Sequence, residues 1–271
     1  MRRKPLHGIT MGILAVLLVL FMAVGVAEEE RTDASGQWKY VVEDGSAIIT
    51  GWVKEAVGDL VIPNELDGYP VTSIGDNAFD FCESLHSVVI PDGVTSIDRE
   101  AFSRCSALKS VIIPTSVTDI GFAAFSGCES LMEVIIPDGV KSIEEAAFSW
   151  CRKLTAVTLP DSVTDIGTDA FSYCHSLTGV TIPSNVVSIG DFAFYQCIRL
   201  ANVLIPAGAT SIGMGAFQEC KSLTNVTIPD SVTYIGEDVF ADCEKLILSV
   251  KEGGFAEQYA KDNSITYVFT E

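Results

Sequence analysis

Apolar positions return along residues 60–250 at a spacing that neither one helix nor one strand explains. The same pattern recurs every 23 residues, most strictly at Ile74, Ile97, Ile120, Ile143, Ile166, Ile189, Ile212 and Ile235. Phenylalanine keeps the same step at Phe79, Phe102, Phe125, Phe148, Phe171, Phe194, Phe217 and Phe240. Leucine does so from Leu85 to Leu246, and proline from Pro91 to Pro229. Each unit reads roughly L-x-x-V-x-I-P-x-x-V-x-x-I-G-x-x-A-F-x-x-C-x-x.

Each part of the unit predicts an element. The V-x-I segment alternates and is β-branched, so it reads as a short strand with one buried face. Proline has no N–H to give to a ladder and ends the strand. In I-G-x-x-A-F-x-x-C the apolar residues lie three and four apart, which predicts a helical or 3-10 turn. A unit of this size cannot bury its own Val, Ile, Phe and Leu. Stacking identical coils along one axis buries them, which predicts a solenoid.

The ends depart from the repeat, as terminal units of a solenoid must. Residues 38–52 hold two alternating runs around Glu43-Asp44-Gly45-Ser46, a hairpin signal. An imperfect strand follows at 59–63. At the other end, 255–261 reads as a short helix and 265–269 as a closing strand. Arg2, Arg3 and Lys4 precede an apolar run over 11–26 that ends in Gly25-Val26-Ala27, the form of a secretory signal cut after Ala27. An uncleaved anchor is the alternative, because 8–27 is nearly long enough to span. The expected organisation is a signal peptide at 1–27, a linker at 28–37, a hairpin cap with the first strand at 38–70, eight repeat units over 71–250 and a C-terminal cap at 251–271.

The repeat resembles leucine-rich repeats, whose L-x-x-L-x-L strand is matched by L-x-x-V-x-I-P. With A-F-x-x-C the whole unit resembles the BspA-like subclass found on microbial surface proteins, over about residues 60–250. The resemblance implies an α/β right-handed solenoid with a parallel sheet on the concave face and helical or 3-10 turns on the convex side. It also implies a secreted or cell-surface adhesin-like scaffold that binds extracellular proteins of a host or a neighbouring cell. A structural spacer within a surface assembly is the alternative. One column departs from the family: where an asparagine ladder is usual, this chain has Gly93, Ser116, Gly139, Ser162, Asn185, Gly208 and Ser231.

Charge narrows the partners. The chain has 36 acidic and 17 basic residues, and removal of 1–27 leaves a formal charge of −22. Such a chain repels phosphate backbones and anionic headgroups, so neither nucleic acid nor membrane insertion of the mature chain is expected. A monomer is expected. Catalysis lacks an inventory, since His86 and His175 are the only histidines after residue 27 and sit in different columns roughly 19 Å apart at the strand spacing. No metal or cofactor motif is present, and no cofactor is called for.

All eight cysteines fall in one column: Cys82, Cys105, Cys128, Cys151, Cys174, Cys197, Cys220 and Cys243. One thiol per coil along a line cannot converge on zinc. Adjacent coils would hold parallel Cβ atoms too far apart for a relaxed disulfide, so free buried thiols used as small apolar groups are expected. Asp92, Asp138, Asp161 and Asp230 follow the prolines and read as turn formers rather than calcium ligands. Asn225-Val226-Thr227 is a glycosylation sequon placed on a strand. Function then falls to the outward strand positions. There Val89, Ile112, Met132 and Ile135, with His86 and Lys109 beside them, form the candidate protein-binding face.

Overall fold

The computed structural model describes residues 29–270. The signal segment expected over 1–27 lies outside them. Each coil contributes two short parallel strands. The V-x-I segments pair in register, for example Ser87, Val88 and Val89 with Ser110, Val111 and Ile112. The second set pairs Ile74 with Ile97 and Ile97 with Ile120, and then runs again from Ile143 to Ile235. The first set is called here the valine ladder, the second the isoleucine ladder. Neighbours in both are one repeat apart, so each residue packs on its own copy and the columns of the sequence become columns in space.

The interior is a stack of identical side chains. The rings from Phe79 to Phe240 lie 5.1–5.6 Å apart, centroid to centroid, and within 4–11° of parallel. That is offset stacking, the favoured arrangement for aromatic pairs. Trp38 closes the stack edge-on against Phe79 at 6.4 Å, and Tyr259 does so against Phe240 at 6.3 Å. Trp38 belongs to a hairpin of Trp38–Glu43 and Ser46–Trp52, turned through Asp44 and Gly45 at positive φ. The second hairpin strand runs parallel to Tyr69–Ile74 and so continues the isoleucine ladder. Tyr259 belongs to the helix Phe255–Asp262, after which Tyr267–Phe269 pairs parallel with Ile247–Val250. Where the sequence suggests only a linker over 28–37, Arg31–Thr32 pairs with Lys39 and Tyr40. The Glu30 carboxylate holds it there, taking bonds from Lys39 Nζ and Thr50 Oγ1.

The third side of the coil corrects the expected helical turn. Ala78 N–H donates to Gly75 and Cys82 N–H to Phe79, so isolated three-residue closures are present. Between them Asn77 and Phe81 take left-handed φ values of 57° and 59°, which a right-handed helix cannot contain. The same two positions are left-handed in every coil, from Glu100 and Arg104 to Asp238 and Asp242. The inversion turns alternate N–H groups along the solenoid axis: Asn77, Phe79 and Phe81 donate to the carbonyls of Arg99, Ala101 and Ser103 one coil on. Apolar spacing of three and four arises here from two consecutive turns, and the only α-helix among the described residues is Phe255–Asp262.

Two further columns follow from coil spacing. Beside the isoleucine ladder stand Gly75, Asp98, Gly121, Glu144, Gly167, Gly190, Gly213 and Gly236. A Cβ on Gly190 would lie 2.6 Å from the Gly167 carbonyl carbon, and one on Gly213 2.5 Å from the Asp191 nitrogen. Asp98 and Glu144 interrupt the column: Asp98 N–H keeps its bond to the Ile74 carbonyl, whereas Glu144 N–H makes none to the coil before it. In the column that lacks the asparagine ladder, Ser116 Oγ takes the Gly93 N–H and donates to the Val94 carbonyl. Ser162 repeats this between Gly139 and Val140.

Gly213→Ala is expected to cost about 1–3 kcal/mol through overpacking against the preceding coil. Gly179→Ala, on an outward strand position with nothing within 4 Å, is expected to be neutral or slightly stabilising. Thermal unfolding of the two variants measures the contrast, and equal melting points would refute the close-approach account of this column.

Candidate functional site

The cysteine column is fully enclosed except at its ends. All eight thiols are free, and Cys105 through Cys220 are buried with no exposed surface. Each thiol from Cys105 onward donates to the phenylalanine carbonyl of the coil before it: Cys105 to Phe79 at 3.2 Å, Cys174 to Phe148 at 3.3 Å, and so on to Cys243. Burial pushes the Cys174 thiol up to about 12 and holds Cys128, Cys151, Cys197 and Cys220 well above the usual range. A thiol that stays protonated and inaccessible is neither nucleophile nor metal ligand.

The other polar candidates do not converge. His86 is exposed on the valine ladder, whereas His175 lies by the turn, its ring 6.1 Å from that of Tyr173. Among the described residues no group of three or more His, Cys, Asp or Glu is placed to hold a metal ion. On the turn side Trp150 stacks on Tyr173 at 3.9 Å and the Arg152 guanidinium covers it at 4.9 Å. The indole is thus engaged within the chain.

The outward side of the valine ladder is different. Ile112 is 60% exposed, Ile135 69% and Met132 50%; Val89 is half-buried, and His86 and Lys109 are exposed at the rim. In-register pairing puts Val61, 69% exposed, next to Val89, and Val89 next to Ile112. Val61 extends the row by one coil. The sequence hides it because the first unit carries five extra residues, which break its alignment with the column. Further along, Ile135 is followed by Thr158 and then by Thr181, Leu204 and Thr227, so the unbroken apolar row ends at Ile135.

Between Ile112 and Ile135 the backbone also opens. The valine ladder is not hydrogen-bonded between Ser110–Ile112 and Glu133–Ile135, and the isoleucine ladder is not hydrogen-bonded between Asp119–Ile120 and Ser142–Ile143. Thr118 N–H reaches Thr95 and Gly121 N–H reaches Ile97, but Lys141 and Glu144 make no such bonds to the coil before them. Among the described residues, only here do both ladders lapse together. The coils are still joined by the Met132 N–H to the Lys109 carbonyl at 3.3 Å, by the turn bonds of Ala123, Phe125 and Gly127 and by the Phe125–Phe148 stack. On the valine side the opening is a notch of about 300 Å³ lined by Ser110, Val111, Ile112, Ile113, Glu133, Val134 and Ile135. Val111 and Ile113, whose neighbours Val88, Val134, Ile90 and Ile136 are buried, become half-buried along its wall.

Known proteins agree with this architecture. The model of the BspA type leucine rich repeat region matches in six copies, over residues 72–186 and 118–247. A leucine-rich repeat protein from Bacteroides ovatus is 30% identical with a TM-score of 0.65, over 86% of this chain and 66% of its own length. This chain thus spans just under two thirds of that protein. The leucine rich repeat protein of T. pallidum is 26% identical with a TM-score of 0.58, over 88% of this chain and 98% of its own. A leucine rich cell surface protein from Faecalibacterium prausnitzii is 26% identical over 90% of this chain and 95% of its own, with a looser TM-score of 0.47. No curated protein matches. Among the described residues no helix is long and apolar enough to cross a membrane.

The thiol column gives a test of the packing. Folded thiols with raised pKa values favour the neutral form, so their contribution is complete below the unfolded value of about 8.5 and is lost as pH climbs towards the folded values. Urea unfolding at increasing pH is expected to show stability falling from about pH 8.5 towards 12, by up to about 1.4 kcal/mol per pH unit for each such thiol. Stability that stays level to pH 10 would contradict burial of these thiols. The chain belongs to the BspA-type leucine-rich repeat family.

Proposed function

We propose that this chain is a secreted or cell-surface scaffold without catalytic activity, which binds an extracellular protein of a host or neighbouring cell on the outward face of its valine ladder. The observation that carries this reading is the apolar row Val61, Val89, Ile112 and Ile135, broadened by Met132 and opened by the notch at its end. On a chain of net charge −19, an apolar strip that the fold does not require marks an interaction surface. Thr158, Thr181 and Thr227 occupy the same column, so apolar side chains there are dispensable for folding. Secretion rests on the charged and apolar N-terminal segment, and surface residence on family membership. A spacer of a surface assembly would need a uniformly polar sheet, and the localised row favours binding over it.

Capture of extracellular proteins by residues 28–271 tests this reading. Ile112→Asp and Ile135→Asp are each expected to reduce capture at least tenfold, because each places a charge within a desolvated contact. A partner retained equally by both variants would remove the strip from the binding site.

A further inference from the structure

We infer that the occupant of the strip is a cationic amphipathic helix lying across the strands, an inference that rests on the valine ladder being the binding face. Geometry supplies the first argument. Rungs of the ladder are about 4.8 Å apart, so Val61 to Ile135 spans about 14 Å. Successive apolar residues on one helix face are about one turn, 5.4 Å, apart. Four such residues, spread over about eleven positions and 16 Å, can each meet one rung. An extended strand crossing the rungs presents same-face side chains only every 6–7 Å and falls out of step. A strand running along the rungs finds no free edge in the middle of the ladder.

The notch supplies an anchor. Its walls are the side chains of Val111, Ile112, Ile113 and Ile135, and it has room for one large apolar side chain. A single well-packed anchor in a desolvated pocket commonly carries most of an interface's energy. Charge selects the sign of the helix. Beyond the proline that ends each strand stand the exposed carboxylates of Asp92, Asp138 and Asp161, and Glu133 stands within the strip. None of the four makes a salt bridge among the described residues. Lys109 and His86 lie on the opposite rim. A helix with lysine or arginine on the flank facing the prolines would pair with the open carboxylates while its apolar face covers the strip.

The test uses a synthetic leucine–lysine amphipathic helix of about five turns, labelled for fluorescence anisotropy, with residues 28–271. Two controls accompany it: the same composition with its amphipathic order scrambled, and a leucine–glutamate helix of the same order. The unscrambled cationic helix is expected to bind best, and to bind more weakly at high salt. Ile112→Thr and Ile135→Thr are each expected to weaken it about tenfold by removing a buried apolar contact. Threonine already stands at this position in three coils, so both variants are expected to fold. Leu204→Thr, at an exposed apolar residue outside the strip, is expected to change nothing.

Equal binding of the scrambled peptide, or of all three variants, would reduce the effect to bulk charge and overturn the inference. So would tighter binding of the glutamate helix, or a dimer seen by ultracentrifugation that Ile135→Thr dissolves, because the occupant would then be a second copy. If capture is sensitive to Ile112→Asp while the cationic helix fails to bind, the face stands and the helix is refuted.

Discussion

One distance governs the molecule: each coil must lie a single strand spacing from the next. The two ladders impose it through backbone hydrogen bonds, and every side chain inside must tolerate a copy of itself about 4.8 Å away. Phenylalanine does so by sliding its ring into offset stacking, which explains centroid distances slightly above that spacing. Cysteine does so because it is small and because its S–H shares the phenylalanine carbonyl that closes the turn of the coil before. Glycine stands where backbones meet more closely than a Cβ allows. The columns are therefore solutions to one packing problem posed once per coil, and their regularity carries no information about chemistry.

The same constraint explains which parts of the fold are legible from the chain. The repeat length, the valine strands and the terminal hairpin and helix follow from period and composition, because in each the spacing of apolar residues matches one conformation. The turn does not. A spacing of three and four is shared by a helix and by two consecutive turns, and apolar periodicity cannot separate them. The deciding residues sit at positions such as Asn77, Glu100, Ala123 and Asp169, which share a left-handed conformation but no residue type. What holds them there is the set of hydrogen bonds to the next coil, a tertiary cause without a local signature.

Outward positions obey a different rule. Coil spacing leaves them free, so a departure there is informative, and Ile112 and Ile135 stand out against Thr158 and Thr181 for that reason. The notch between them was hidden, because its walls, Val111 and Ile113, are the ordinary residues of their columns. A signal existed elsewhere in the same coil. Lys141 replaces the threonine of its column and Glu144 the glycine of its own, and these are the two residues whose ladder bonds are missing. Two simultaneous departures from consensus in one unit locate the break better than any residue that lines it.

Charge closes the argument about why the repeat is imperfect. A chain with a net charge of −19 that copied its acidic residues from coil to coil would line up carboxylates at strand spacing, where like charges destabilise. The isoleucine ladder avoids this by alternation: Asp119 and Asp165 are separated by Ser142 and followed by Ser188, whose hydroxyl donates to Asp165 at 2.5 Å. Asp98 and Glu144 are likewise set apart by Gly121. In this ladder the variation of surface residues keeps like charges apart, independent of any partner. The apolar row escapes that explanation. Valine and isoleucine add no repulsion and relieve none, and threonine serves the strand equally well in the same column. Their persistence over four consecutive rungs is therefore left to be explained by what the face binds.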